Sequence, residues 1–141
     1  QCKKCAGKDT PERGRQGVLS DYVWDFVNRV AKEVYKTHPD RFITNCSYGT
    51  YRAPPTNIER FSPNLVVNFC QHRMRYGQRP EEKKQYNAWR RGLIEKLPPG
   101  RRQLFMWEYY RVPPHTPAYS PRAIAEDLQA VNGVSLRRSR W

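Results

Sequence analysis

Leu65-Val66-Val67-Asn68-Phe69-Cys70 is apolar at almost every position. A strand with one wet face alternates apolar and polar residues, whereas a parallel strand covered on both faces reads as a nearly continuous apolar run. This stretch therefore predicts a parallel strand, and its neighbours in the sequence supply the layers around it. Upstream, Ser20 reads as an N-cap and Asp21 suits the positive end of a helix dipole. Val23, Phe26, Val27, Val30, Ala31 and Val34 recur at helical spacing as one buried stripe, and His38-Pro39 ends the helix. Phe42–Tyr48 follows as a short β-prone run. The connection from Gly49 to Asn64 carries Pro54-Pro55 and has room for only a short helical turn.

Downstream, Pro80-Glu81-Glu82 opens a second helix with proline and acids in its first turn. Tyr86, Trp89, Leu93, Ile94 and Leu97 form its apolar face, and Pro98-Pro99-Gly100 stops it. Gln103-Leu104-Phe105-Met106-Trp107-Glu108-Tyr109-Tyr110 then reads as a buried strand whose last turn sets one carboxylate among three large aromatics. After the proline-rich loop Val112–Tyr119, Ser120 caps and Pro121 starts a third helix with Ile124, Ala125, Leu128 and Val131 inward. Gly133 ends it, with Val134–Leu136 a candidate strand. The order α-β-β-α-β-α-β is that of an α/β layer or barrel.

At 141 residues the chain is about half of a (β/α)₈ barrel, which typically needs ~250. It opens without Met directly against Cys2-Lys3-Lys4-Cys5 and finishes on Leu136–Trp141, which has no helix pattern, so both ends read as cut. The expectation is a single incomplete barrel fragment over 1–141: a Cys-x-x-Cys loop at 1–17, an α/β core at 18–133, and an irregular or truncated end at 134–141. No apolar stretch approaches the ~20 residues of a membrane span, so no membrane partner is expected.

The net charge of +13 draws phosphates and acidic polymers. Yet the cations are dispersed, at Arg13, Arg15, Arg73, Arg75, Arg79, Lys83, Lys84, Arg90, Arg91, Arg101 and Arg102. No nucleic-acid signature organises them, so a solvated basic surface is expected and nucleic acid is not. Of the four cysteines, Cys2 and Cys5 have metal-ligand spacing, but a closed zinc site needs two more ligands that the chain does not supply. Cys46 and Cys70 read as small core residues. Cys70 and His72 share a strand face without an orienting third group, which argues against a thiol nucleophile. No metal and no cofactor is expected.

In parallel α/β folds the ligand lies at the carboxyl ends of the strands. Those ends offer Tyr48, Tyr51 and Arg52, then Gln71, His72 and Arg73, then Trp107, Glu108 and Tyr109. Flat aromatic faces take the C–H face of a pyranose, and polar or cationic neighbours hold hydroxyls or acidic substituents. Usual glycosidic hydrolysis needs two carboxylates, about 5–5.5 Å apart for retention and about 6.5–9.5 Å for inversion. Glu108 is the single strand-end carboxylate, so the catalytic residue is unassigned and Glu108 reads as a substrate-positioning group between Trp107 and Tyr109.

Cys2-Lys-Lys-Cys5, Glu33–Asp40, Cys46-Ser-Tyr48-Gly-Thr-Tyr51-Arg-Ala-Pro-Pro55, Asn64–Cys70 and Trp107-Glu-Tyr-Tyr110, in this order and spacing, resemble the domain of unknown function 4838. That family is a glycoside-hydrolase-related barrel domain of large bacterial proteins. The resemblance runs from Cys2 to about Gly133. It implies a (β/α)₈-like barrel, export to the periplasm or beyond the cell, and a carbohydrate substrate, with the remainder of the parent barrel as partner. Two departures stand out: the family's further Cys and acidic strand end before the Cys-x-x-Cys loop are not in this chain, and Arg137-Arg138-Ser139-Arg140-Trp141 does not fit its usual continuation. The resulting expectation is a glycoside-hydrolase-like fragment, inactive alone, that supplies the substrate-binding half of a barrel site. A non-catalytic carbohydrate-binding module, or a basic polyanion binder, is the alternative.

Overall fold

The computed structural model describes residues 3, 6–73, 76, 79–100, 103–109 and 121–130. Helix α1 (Ser20–Thr37) leads into strand β1 (Ile43–Ser47), and β2 (Leu65–Gln71), α2 (Pro80–Lys96), β3 (Leu104–Glu108) and α3 (Pro121–Ala130) follow. The strands form one parallel sheet in the order β1-β2-β3. Leu65 pairs with Ile43 and Val67 with Leu104, so the apolar run that predicts a parallel strand is the centre of the sheet. The fold is α/β, as the element order implies.

Successive residues of a strand point to opposite faces. Leu65, Val67 and Phe69 of β2, with Leu104 of β3, enter one core with Trp24 and Ala31 of α1 and Tyr86 and Leu93 of α2. Ile58 and Phe61 of the β1–β2 connection complete it. Both helices therefore cover the same face of the sheet. Thr44, Cys46, Asn68, Phe105 and Trp107 line the other face, where Phe105 is 40% and Trp107 54% exposed. The expectation of a buried third strand is corrected: β3 alternates, with only its helix-facing side covered. Val66 and Cys70 are buried on the open face of the central strand, which is why β2 reads as apolar throughout.

The buried stripe of α1 is rotated from the valine row. Ser20, Trp24, Asn28 and Ala31 face inward, while Phe26 and Val30 are exposed. Trp24 decides this, because its indole N–H donates to the Tyr51 carbonyl at 3.0 Å and its ring lies 5.2 Å from Phe61. Asn28 Oδ1 accepts from the Ser62 amide at 2.8 Å, a contact no valine could make. Ser20 is the first helical residue rather than the cap, which is Leu19. On α2 the predicted face is present, with Arg90 buried beside it. Helix α3 begins at Pro121 as expected, but Ala125 and Leu128 are exposed rather than inward, and Glu126 reaches α2 through Lys83 at 2.8 Å. Cys2, Cys5, Tyr110, Ser120, Val131, Gly133 and the candidate strand at 134–136 lie outside the described residues, as does the side chain of Ile124.

The β1–β2 crossover has no helix beyond a single 3₁₀ turn at Gly49–Tyr51. Its proline segment is held by Asp21, which pairs with Arg13 at 2.7 Å and accepts from the Thr56 hydroxyl at 2.8 Å and from its amide. Burial alone would raise the Asp21 carboxyl, but the Thr56 donors and Arg13 outweigh it and hold it below the ordinary value of 3.8. A depressed carboxylate contributes stability above its unfolded pKa and loses it as pH falls through the folded one. Asp21→Asn should therefore lower stability at pH 7, and the difference from the parent should shrink as urea unfolding is repeated at successively lower pH below about 4. Gly92 faces the Pro54 ring, where a β-carbon would sit 2.9 Å from Cγ. Gly92→Ala should destabilise the protein in thermal unfolding, although helix propensity alone would favour alanine by ~1 kcal/mol.

Candidate functional site

The carboxyl ends of the three strands bring the predicted aromatics together on the open face. Tyr109, just past β3, stacks on His72, just past β2, with ring centroids 4.6 Å apart and planes at 22°. Tyr48, just past β1, lies 6.2 Å from Tyr109. Trp107 stands on the same face two residues before Tyr109. The result is an aromatic shelf along the strand ends, with Tyr48 and Trp107 exposed.

The charged candidates lie on the helix-covered side. Glu108 follows Trp107 by one residue and so points the opposite way. Its carboxylate is 6% exposed and pairs with Arg73, itself 3% exposed, at 2.8 Å. Gln71 donates its amide to the same Glu108 oxygen and accepts from the Tyr76 hydroxyl at 3.0 Å. Arg52 is also buried. It donates to Tyr86 Oη at 2.6 Å and to Gln16 Oε1, while its guanidinium lies 5.5 Å from the centre of the Tyr48 ring and 4.9 Å from that of Tyr86. Ser47 fixes the same turn by donating to the Arg52 carbonyl at 2.6 Å. Arg52 thus holds Tyr48 from behind the shelf. With Arg90 also enclosed, three arginines are interior, of which Arg73 and Arg90 are among the dispersed cations expected at the surface.

Beneath the shelf lie Cys46, whose Sγ accepts from Asn68 Nδ2 at 3.6 Å, and Cys70, whose thiol donates to the Asn68 carbonyl at 3.8 Å. Burial, then the neighbouring Cys46, pushes the Cys70 thiol up to about 12. Burial and Cys70 likewise push the Tyr109 phenol up to about 12, and burial raises Tyr51. At neutral pH these groups are uncharged hydrogen-bonding partners, and Cys70 is no nucleophile. Strand parity, read across the three ends, is the signal that would have separated Trp107 from Glu108 and grouped the two cysteines with the shelf. The contributions of Gln16 and Tyr86 come from segments more than thirty residues from Arg52 and had no local signal.

Replacing one member of a buried ion pair strands the other charge. Glu108→Gln should lower the free energy of unfolding by about 3 kcal/mol in a urea titration, and Arg73→Met combined with Glu108→Leu should recover most of that loss.

No curated protein and no solved structure matches this chain. A family model matches residues 1–137, nearly the whole chain, in agreement with the resemblance carried by the cysteine, tyrosine and tryptophan motifs. The chain belongs to the family described as a domain of unknown function, DUF4838.

Proposed function

We propose that this chain supplies the substrate-binding half of a (β/α)₈-like barrel in an exported bacterial, glycoside-hydrolase-like protein. The observation that carries the reading is the aromatic shelf of Tyr48, His72, Trp107 and Tyr109 at the carboxyl edge of a sheet face that no described helix covers. In a (β/α)₈ barrel the helices form an outer ring and the active site lies at the carboxyl ends of the strands. Parallel strands with both packed helices on one face fit one arc of such a ring. The shelf offers flat rings for the C–H face of a sugar, and the Tyr48, Tyr51 and Tyr109 hydroxyls offer neutral donors for its oxygens. Arg52, Arg73 and Glu108 serve beneath it, as groups that hold Tyr48 and the ends of β2 and β3 in place. Proton transfer falls to carboxylates on the remainder of the barrel, since hydrolysis needs a pair.

Affinity electrophoresis of the protein through gels containing a neutral β-glucan, a xylan or a polyuronate tests the reading. Retardation by at least one polymer is expected, with Trp107→Ala and Tyr48→Ala each weakening it about tenfold, the scale of one lost stacking contact of ~1.4 kcal/mol. Retardation should change little between 50 and 200 mM salt. A collapse over that range would favour the polyanion reading, which depends on released counterions. Unretarded migration with every polymer would overturn the sugar site.

A further inference from the structure

The outer edge of β1 and one flank of α1 fall on the same side of the molecule, and neither belongs to the shelf. Trp24 and Asn28 turn α1 toward the β1–β2 connection, through the Tyr51 carbonyl and the Ser62 amide. That connection is held between the two helices: Asp21 of α1 accepts from Thr56, and Lys96 of α2 donates to the Ile58 carbonyl at 2.6 Å. Phe26 and Val30 each stand two residues from Asn28, about 200° around the helix, and so lie on the flank turned away from α2. Tyr22 continues the row one turn earlier. All three are exposed, Phe26 by 57%, and the half-buried Val23 and Val34 widen the apolar arc.

Strand β1 is an edge of the described sheet. The Ile43 amide donates to the Asn64 carbonyl at 2.9 Å, so the alternate residues Thr44 and Cys46 direct their N–H groups away from β2. Edge strands are commonly blunted by charge, proline or a bulge, because their backbone groups template pairing with another chain. Ile43-Thr44-Asn45-Cys46-Ser47 carries neither charge nor proline, and Phe42 at its start is exposed. A bare strand edge beside an apolar helix flank is covered best by another strand and helix together.

We propose that a second copy of this chain occupies this surface, with the two β1 edges antiparallel and the two α1 helices side by side about a two-fold axis. Such a contact is self-complementary, since each copy presents the patch that it receives. The charges on α1 suit that symmetry: Asp21 and Asp25 precede Phe26, whereas Arg29, Lys32 and Lys36 outnumber Glu33 after it. Reversing one helix against the other about Phe26 sets the acidic half of each beside the basic half of its neighbour and opposes their dipoles. An aromatic side chain carries roughly 150–250 Å², so the half-exposed rings of Tyr22, Phe26 and Phe42 offer on the order of 300 Å² per copy. With Val30 and the strand edge, the two copies reach the class below about 1,200 Å², that of weak, reversible pairs. The pairing goes beyond the sugar reading and does not rest on it; a neighbouring barrel strand and a second copy would compete for this one edge.

Sedimentation equilibrium of the chain, under reductant so that no cysteine cross-link contributes, tests the pairing. At about 0.15 M salt the Debye length is ~8 Å, which screens most of the repulsion between two chains of net charge +13. The mass should rise from one chain toward two between about 5 and 500 µM, the range of a weak pair. Phe26→Lys sets two like charges at the axis and should raise the dissociation constant about tenfold or more. Thr44→Pro removes one outward N–H without touching the β1–β2 bonds and should do the same. If that variant misfolds, Phe26→Lys, on an exposed helix face, still decides. Trp107→Ala, which weakens the sugar site, should leave the dimer unchanged, so either reading can fail without the other. A monomer at every concentration, or a dimer that survives Phe26→Lys, would overturn the pairing.

Discussion

A side chain on one of these parallel strands has two directions open to it, and almost everything distinctive about the molecule follows from how they are assigned. The odd positions of β2 enter the helix-packed core, while its even positions face the uncovered side. The same seven residues therefore build the core and the floor of the open face. A slip of one residue in the β2–β3 register would send Trp107 into the helices and Glu108 onto the open face. The register is secured from the helix side, where Leu65, Val67, Phe69 and Leu104 are fully buried.

That core also has to enclose charge. Arg52, Arg73 and Arg90 are each no more than 6% exposed, and an unpaired buried cation would cost more than a domain of this size can spare. The neutralising partners differ. Arg73 has the Glu108 carboxylate, whereas Arg52 has two tyrosine rings, the Tyr86 hydroxyl and Gln16. Each arrangement ties residues from distant segments to a strand end. Tyr48 is fixed from below by Arg52, and the end of β3 is fixed to the end of β2 by Glu108, Arg73 and Gln71. Side chains locked in this way give a binding shelf the rigidity that loops alone do not provide.

Element existence and order were legible in the sequence because proline, glycine and apolar runs act locally. Pro80 and Pro121 begin helices where they stand, and Leu65–Cys70 is a parallel strand. The orientation of α1 was not legible. Six apolar residues at helical spacing outvote one tryptophan on periodicity, yet Trp24 and Asn28 win because each completes a hydrogen bond to a segment that follows the helix by more than ten residues. The candidate site was legible as a set of strand ends and illegible as a set of faces. Glu108 beside Trp107 in sequence suggested a carboxylate between aromatics, and strand alternation instead hides it behind them with Arg73.

The open face is where these lines meet. A sheet that leaves Phe105 and Trp107 half in water forgoes apolar burial worth about 25 cal/mol per Å². Exposed apolar patches are where binding and contact sites are sought, and the proposed sugar reading is built on this one. The residues on it are not uniformly apolar, since Thr44, Asn68, His72 and the tyrosine hydroxyls are interspersed with the rings. Under the proposed sugar reading, that mixture matches a ligand apolar on one side and hydroxylated at its edges. Among the described residues, the two arginines at these strand ends, Arg52 and Arg73, are turned inward and already engaged.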